Sequence, residues 1–431
     1  MRFFELNFFK KFFKKLKNNH LVKNFLSFLF VQGVNYLYLI ITIPYLIRVL
    51  GADRFGLIIF AQTFIQYFNI FTEYGFHLSA TREISLNREN KALLNKIFNS
   101  VILAKLILLI IAFLVMTFIV LIFPKFRKDM EIYFFTFGIV IGQVFFPIWF
   151  FQGMEKMEYI MYLNFISKLT SILLILAFIH KSVDYIYVPI FNSVGSILAA
   201  VISLIICFKI FKLKLEKISL KEAIERLKEG VHLFFSKVGI NMYKNSSILF
   251  LGFFTNNTIV GYFAVAKKIM DLVNSISAVI SEVIFPYTVK LINLDLTKAI
   301  NFLKKIEVLI IFYNLIIGFV IFLFSKEITL LIVGHYSYIT FLSLRFFAFV
   351  PLIIGINVPA VHVLLANNLD KLFSKIILLG GMIDVFLNIL LIKVFSYIGS
   401  CMAVIITETF VTCTLIIYTL QFLKKERENV I

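Results

Sequence analysis

Two stretches of this sequence place charged and amide side chains along one helical face of an otherwise apolar run. In SKVGINMYKNSSILFLGFF, residues 236–254, Lys237, Asn241 and Lys244 are spaced i, i+4, i+7. In GYFAVAKKIMDLVNSISAVISEVIFP, residues 261–286, Lys267, Asp271 and Asn274 repeat that spacing, with Lys268 beside the first. A further stripe, Gln62, Gln66, Asn69 and Glu73, is polar but carries no cation, and Gln32, Asn35 and Thr42 lie in the run before it. If such runs cross a bilayer, each charge costs roughly 2.5–3.5 kcal/mol on insertion scales. That cost is met where charges line a wet pathway or pair with one another. Lysines so placed, together with Arg345, suit an anionic group, and Asp271 would hold Lys267 or Lys268 in place and limit their mutual repulsion. The amides suit neutral polar groups, or else hydrogen bonds between helices. Lys105 and Lys168 are further intramembrane cations that either snorkel or touch a ligand. Asp384 and Glu408 fall well inside late apolar runs, where a carboxylate either pairs with a cation or exchanges a proton or sodium ion.

The elements that must carry these residues follow from composition. A chain of 431 residues that is 61% hydrophobic and holds 53 Phe is no ordinary soluble globule. About a dozen apolar runs have the roughly 20-residue length that a helix needs to cross the hydrocarbon core. The alternation of a membrane β-barrel is absent, so an all-α polytopic membrane protein is expected. Most Lys and Arg fall in the loops on the amino-terminal side, the bias that places both termini in the cytoplasm. The net charge of +19 therefore reports topology and attraction to anionic lipid rather than nucleic acid. Cys207, Cys401 and Cys413 lie inside runs at unrelated spacing, which indicates neither a disulfide framework nor a metal site. Residues 1–20 alternate Phe and Lys as an interfacial amphipathic helix. Residues 209–230 form a charged interruption that reads as a cytoplasmic linker helix between two halves, 21–208 and 231–431. Laid over one another, the halves align RFGLIIFAQTFIQYFN (54–69) with IVGYFAVAKKIMDLVN (259–274) without a gap, so that Gly56 falls on Gly261 and Asn69 on Asn274. A parallel internal repeat follows, neutral in its first copy and mostly cationic in its second.

Two longer runs carry a resemblance. YGFHLSATREIS, with His77, Arg82 and Glu83, resembles the loop after the second helix of Wzx-type O-antigen and polysaccharide flippases. FPIWFFQGMEKM, with Pro147, Trp149, Gln152 and Glu155, is similar to that family's signature at the end of the fourth helix. Pro147 is expected to kink that helix, and Trp149 to anchor it at the membrane interface. The resemblance implies the exporter fold of the multidrug/oligosaccharidyl-lipid/polysaccharide (MOP) superfamily, about 12 helices in two six-helix lobes related by a pseudo-two-fold repeat. It implies movement of undecaprenyl-diphosphate-linked glycan units across the bacterial cytoplasmic membrane. Lys237, Lys244, Lys267, Lys268 and Arg345 would then meet the diphosphate, and Gln32, Asn35, Gln62, Gln66, Asn69, Asn241 and Asn274 the sugars. No nucleotide-binding P-loop is present, so no cofactor is expected and the energy would come from a gradient, with proton or sodium coupling open. Partners would be the lipid-linked glycan, membrane lipids and other polysaccharide-assembly proteins. A peptidoglycan-precursor flippase, a MATE-like drug exporter and a membrane polysaccharide polymerase are the alternatives. The lysines argue against the exporter of cationic drugs, and the lack of a large extramembrane segment argues against the enzyme.

Overall fold

Apolar runs free of helix-breaking pairs fold as long helices, because only a helix satisfies its own backbone hydrogen bonds in lipid. In the computed structural model, which describes residues 20–430, these are α1 (His20–Glu73), α2 (Phe76–Leu86), α3 (Lys91–Ile122), α4 (Pro124–Arg127), α5 (Met130–Phe145), α6 (Ile148–Gly153), α7 (Met157–Phe178) and α8 (Tyr187–Lys209). The second half comprises α9 (Leu220–Phe254), α10 (Asn257–Leu294), α11 (Leu296–Leu323), α12 (Ser325–Val333), α13 (Tyr338–Phe347), α14 (Val350–Ile356), α15 (Val358–Ala366), α16 (Asp370–Phe395) and α17 (Tyr397–Val430). The amphipathic segment expected at the amino terminus lies outside the described residues.

Nine helical stretches among the described residues are long and apolar enough to cross a membrane. The first, Leu29–Leu86, contains two crossings, because Gly51 (φ 79°, ψ 162°) breaks α1 where only glycine is unstrained. The charged helices α9 and α10, 35 and 38 residues long, are not among those nine, although each has the length that a crossing needs. Lipid contact is legible along α3, where Ile110, Leu114 and Phe118 are exposed on one face while Ala112, Met116 and Val120 are buried on the other.

The tenth apolar run, in which Pro351 and Pro359 predict an interrupted helix, is broken into α13, α14 and α15. Side chains from other helices reach its backbone: Asn314 Nδ2 donates to the Pro351 carbonyl at 2.9 Å, and Thr412 Oγ1, which accepts from Asn357 Nδ2 at 3.0 Å, donates to the Ile353 carbonyl at 3.2 Å. Pro147 likewise separates α5 from α6. Trp149 corrects the expectation of an interfacial anchor. It is 2% exposed and packs against Phe98 and Phe150 in an aromatic core with Phe76 and Phe151. That core fills the space between α2, α3 and α6, where the ring is buried although its Nε1 finds no hydrogen-bond partner.

The linker also differs from the single helix expected over 209–230. The chain leaves helix after Lys209 and regains it at Leu220, and α9 then runs unbroken to Phe254. The intervening backbone is held by side chains from α3. Asn99 Nδ2 donates to the Lys214 carbonyl at 2.8 Å, and Asn95 Oδ1 accepts from the Lys214 amide at 3.1 Å. A capping box starts α9: the Ser219 amide donates to Glu222 Oε2 at 3.2 Å, and the Glu222 amide to Ser219 Oγ at 3.3 Å.

The described chain divides into two compact units. The first takes the start of α1 to residue 40, residues 68–180 and 186–234. The second takes residues 41–67, 181–185 and 235–431.

Candidate functional site

In the second unit, α10 carries its charged stripe inward. Lys267 Nζ sits 3.0 Å from Asp271 Oδ1, the i, i+4 geometry that the spacing implied. The two ends of the pair differ: the lysine side chain is 9% exposed and the aspartate 43%. A buried ammonium is thus held by a carboxylate that opens to its surroundings, an arrangement that can present positive charge without leaving it unpaired. Lys268 is half-buried beside it, and Asn274 completes the face with a buried Oδ1 that has no partner.

A second polar group lies within Coulombic reach of Lys267, built on Asp384 of α16. The carboxylate is 1% exposed and accepts from Ser246 Oγ of α9 and from Asn388 Nδ2, the latter at 3.0 Å. Ser400 Oγ of α17 in turn donates to Asn388 Oδ1 at 2.8 Å. Four helices therefore converge on one buried acid and one buried lysine. Asn388 stands one turn from Asp384, so its share of the network is legible from spacing, whereas Ser246 carries no such signal.

The other expected residues are distributed as follows. Lys244 is exposed on α9 and within Coulombic reach of Glu282, and Asn241 is half-buried one turn before it. The side chain of Lys237 lies outside the described residues. Arg345 is clasped between two rings, its guanidinium carbon 4.5 Å from the Phe341 centroid and 4.9 Å from that of Phe322, with Nε donating to Ser325 Oγ at 3.4 Å. It is exposed in the last turn of α13, held there by cation–π contact. Glu408 is buried on α17. Of the neutral stripe, Gln32, Asn35 and Asn69 belong to the first unit, Gln62 and Gln66 to the second.

In the first unit, the signature residues tie α2, α6 and the start of α9 together. Glu83 takes both nitrogens of the Arg226 fork, with Arg226 Nη2 to Glu83 Oε1 at 2.9 Å, and Arg226 Nε donates to Ser100 Oγ at 3.3 Å. Glu155 pairs with Arg88 at 2.7 Å, and Arg88 Nε donates to the Gly153 carbonyl, also at 2.7 Å. Gly153 has no room for a side chain, since a Cβ there would lie 2.5 Å from Ile84 Cγ2. Trp149 supplies its carbonyl to Thr81 Oγ1 at 3.2 Å, and the Gln152 Oε1 atom is buried without a partner. Arg82 is exposed and His77 half-buried. Arg226 and Arg88 complete these pairs, and nothing in their local spacing announces it.

Comparison with known proteins places this geometry. Two curated relatives, both named "Putative O-antigen transporter", align along nearly the whole chain. The one from Escherichia coli (strain K12) is 28% identical over 397 residues, covering 92% of this chain and 96% of its own. The one from Shigella dysenteriae is 24% identical over 411 residues, covering 90% and 97%. Among solved structures, an inward-facing multidrug resistance MATE family transporter of the MOP superfamily superposes with a TM-score of 0.70 at 13% identity, covering 91% of this chain and 96% of that one. The lipid II flippase MurJ, in an inward closed conformation, superposes with a TM-score of 0.68 at 14% identity, covering 92% and 87%. The expected MOP exporter fold is therefore present, and these relatives and neighbours are named as transporters or flippases, in agreement with a transporter rather than an enzyme. The family model described as polysaccharide biosynthesis protein matches residues 21–292, and the chain belongs to that family, which bears out the resemblance carried by its two signature runs.

Proposed function

We propose that this protein moves a lipid-linked oligosaccharide, carried on undecaprenyl diphosphate, across the bacterial cytoplasmic membrane for assembly of a surface polysaccharide. The observation that carries the reading is the buried Lys267, held by a half-exposed Asp271 on a membrane-crossing helix of a polysaccharide biosynthesis family member. A diphosphate cannot enter hydrocarbon bare, because an uncompensated charge in low dielectric is strongly disfavoured. Lys267, with Lys237, Lys244 and Lys268 along the same two helices, would replace its hydration while the polyprenyl tail stays in lipid. In this reading the exposed Arg345, oriented by its two rings, is the remaining cation for the diphosphate. Gln32, Asn35, Gln62, Gln66, Asn69, Asn241 and Asn274 would hydrogen-bond the sugars.

The two repeat-related halves, 21–208 and 231–431, would rock about the 209–230 segment to expose the site to each side in turn, with both termini in the cytoplasm. Asp384, close to Lys267 and ringed by hydroxyl and amide partners, is the acid through which a proton or sodium ion would couple, with Glu408 as the second candidate. The names of the curated relatives favour a surface-polysaccharide cargo over a peptidoglycan precursor. The test is complementation. In a strain lacking its own flippase, the wild-type chain restores surface glycan, and Lys267→Ala abolishes it at normal protein level. Full activity of Lys237→Ala, Lys267→Ala and Lys268→Ala alike would sink the cationic site.

A further inference from the structure

Helix α7 carries a cation away from its exposed apolar surface. Tyr162, Phe165, Leu169 and Leu173 are exposed along one face of that helix. Lys168 sits about 100° around the axis from Leu169 and is half-buried. It also lies near the middle of the helix, about 16 Å along the axis from Met157 and about 15 Å from Phe178. Either distance is longer than a lysine side chain, so Lys168 does not reach an end of the helix by snorkelling.

Three helices of the first unit hold it in place instead. Lys168 Nζ lies 4.5 Å from the centroid of the Tyr38 ring of α1. The hydroxyl of Tyr38 donates to Asn192 Oδ1 of α8 at 2.7 Å, which fixes the ring from its far end. Around this group α1 meets α7 through Phe30 and Phe165, with ring centroids 5.9 Å apart. Ser171 Oγ of α7 donates to the Phe191 carbonyl of α8 at 3.3 Å. A ring face steadies an ammonium without cancelling its charge. One turn before Lys168, Asn164 has a buried Oδ1 with no hydrogen-bond partner. Buried acceptors are nearly always paired, so this one calls for a donor that the chain does not supply.

We propose that Lys168 and Asn164 form a subsite for an acidic sugar of the cargo, with Tyr38 positioning the lysine. The sugar's carboxylate accepts from Lys168 Nζ, and a neighbouring hydroxyl donates to Asn164 Oδ1. This rests on the transport reading above and narrows the cargo to glycans that carry a uronic acid. Asn35, one turn before Tyr38 on α1, is among the amides that reading gives to the sugars. The diphosphate does not fit this pair, because in its ionised form it has no hydrogen to give Asn164. A neutral sugar would satisfy Asn164 but leave the charge of Lys168 unused.

The probes are two soluble trisaccharides, one ending in glucuronic acid and the other in glucose, titrated against the purified chain in detergent. Wild type binds the acidic one roughly tenfold more tightly, the order expected of a hydrogen bond to a charged group. Lys168→Gln abolishes that ratio and Lys168→Arg keeps most of it. Tyr38→Leu lowers the ratio more than Tyr38→Phe, which retains the ring. A loss of folded protein weakens both probes alike and leaves the ratio unmoved. No preference in the wild type, or an unchanged ratio in Lys168→Gln, would overturn the subsite. Neither probe carries a diphosphate, so their binding does not depend on transport. If the ratio behaves as stated while neither sugar, linked to polyprenyl diphosphate, crosses liposomes faster than without protein, the transport reading fails and the subsite stands. If both linked forms cross at one rate and Lys168→Gln slows them equally, Lys168 meets the diphosphate and the subsite falls.

Discussion

Lys105 and Lys267 are the same residue type, equally hidden, and they do different work. In the first unit, Lys105 is 3% exposed and donates from Nζ to the Gln143 carbonyl at 3.1 Å. Gln143 lies in the last turn of α5, just before the Pro147 break, where carbonyls have no helical amide to accept from. Lys105 therefore caps a helix that proline ends. In the second unit, Lys267 faces a carboxylate that is itself open, and a buried acid stands nearby. In the proposed reading one lysine is spent on the fold, and the other is held ready for a ligand. What separates them is the partner: a backbone dipole fixed in a helix end, or an ionised side chain that can exchange its counter-charge.

That comparison breaks first at Lys267. Lys267→Ala should abolish glycan export while leaving the chain in the membrane at its usual level, and Lys267→Arg should restore part of it, both read by surface-glycan staining against immunoblot. Lys105→Ala should do the reverse. Leaving buried carbonyls unsatisfied costs about 1–3 kcal/mol, read as a lower melting temperature of the detergent-purified chain. Export per surviving folded molecule should stay close to wild type. If Lys105→Ala kills export in a chain of normal stability, the division between the two lysines is wrong.

A smaller effect is expected where Arg226 ties the start of α9 to α2 in the first unit. Arg226→Ala removes a fork on Glu83 whose partners are both partly exposed, so solvent screening leaves about 1 kcal/mol. The loss should appear as faster proteolysis between residues 209 and 230. The smallest concerns the start of α9. Glu222 is held below the ordinary carboxylate range by its hydrogen bond from Lys96 and then by the Ser219 amide. A depressed acid contributes stability that is present above its unfolded value and lost as pH falls through the folded one. Amide protection at 219–223 should therefore hold at neutral pH and fall on acidification below the usual Glu range, and Glu222→Gln should flatten that dependence.

Much of this was legible from residue spacing, and the exceptions have one physical cause. Periodicity and run length identify the crossings, Pro351 and Pro359 mark the interrupted helix, and the i, i+4 relation of Lys267 and Asp271 announces their pair. All of these are local. The place of Trp149 is not legible because an indole suits either an interface or a core, and only the arrival of Phe98 from α3 decides between them. Ser246 under Asp384, Arg226 on Glu83 and the Lys214 backbone on Asn99 are likewise meetings of distant segments. Their residue types are common, and position in the fold alone gives them meaning.

The central claim is that the chain carries a polyprenyl-diphosphate oligosaccharide across a membrane, with Lys267 holding the diphosphate. Its most direct test is the purified protein in liposomes, with a labelled polyprenyl-diphosphate oligosaccharide in one leaflet and a glycan-modifying enzyme outside. The account predicts label reaching the enzyme faster than in protein-free liposomes, and no gain over them with Lys267→Ala. Label crossing equally fast with and without the protein, or equally fast with wild type and Lys267→Ala, would contradict it.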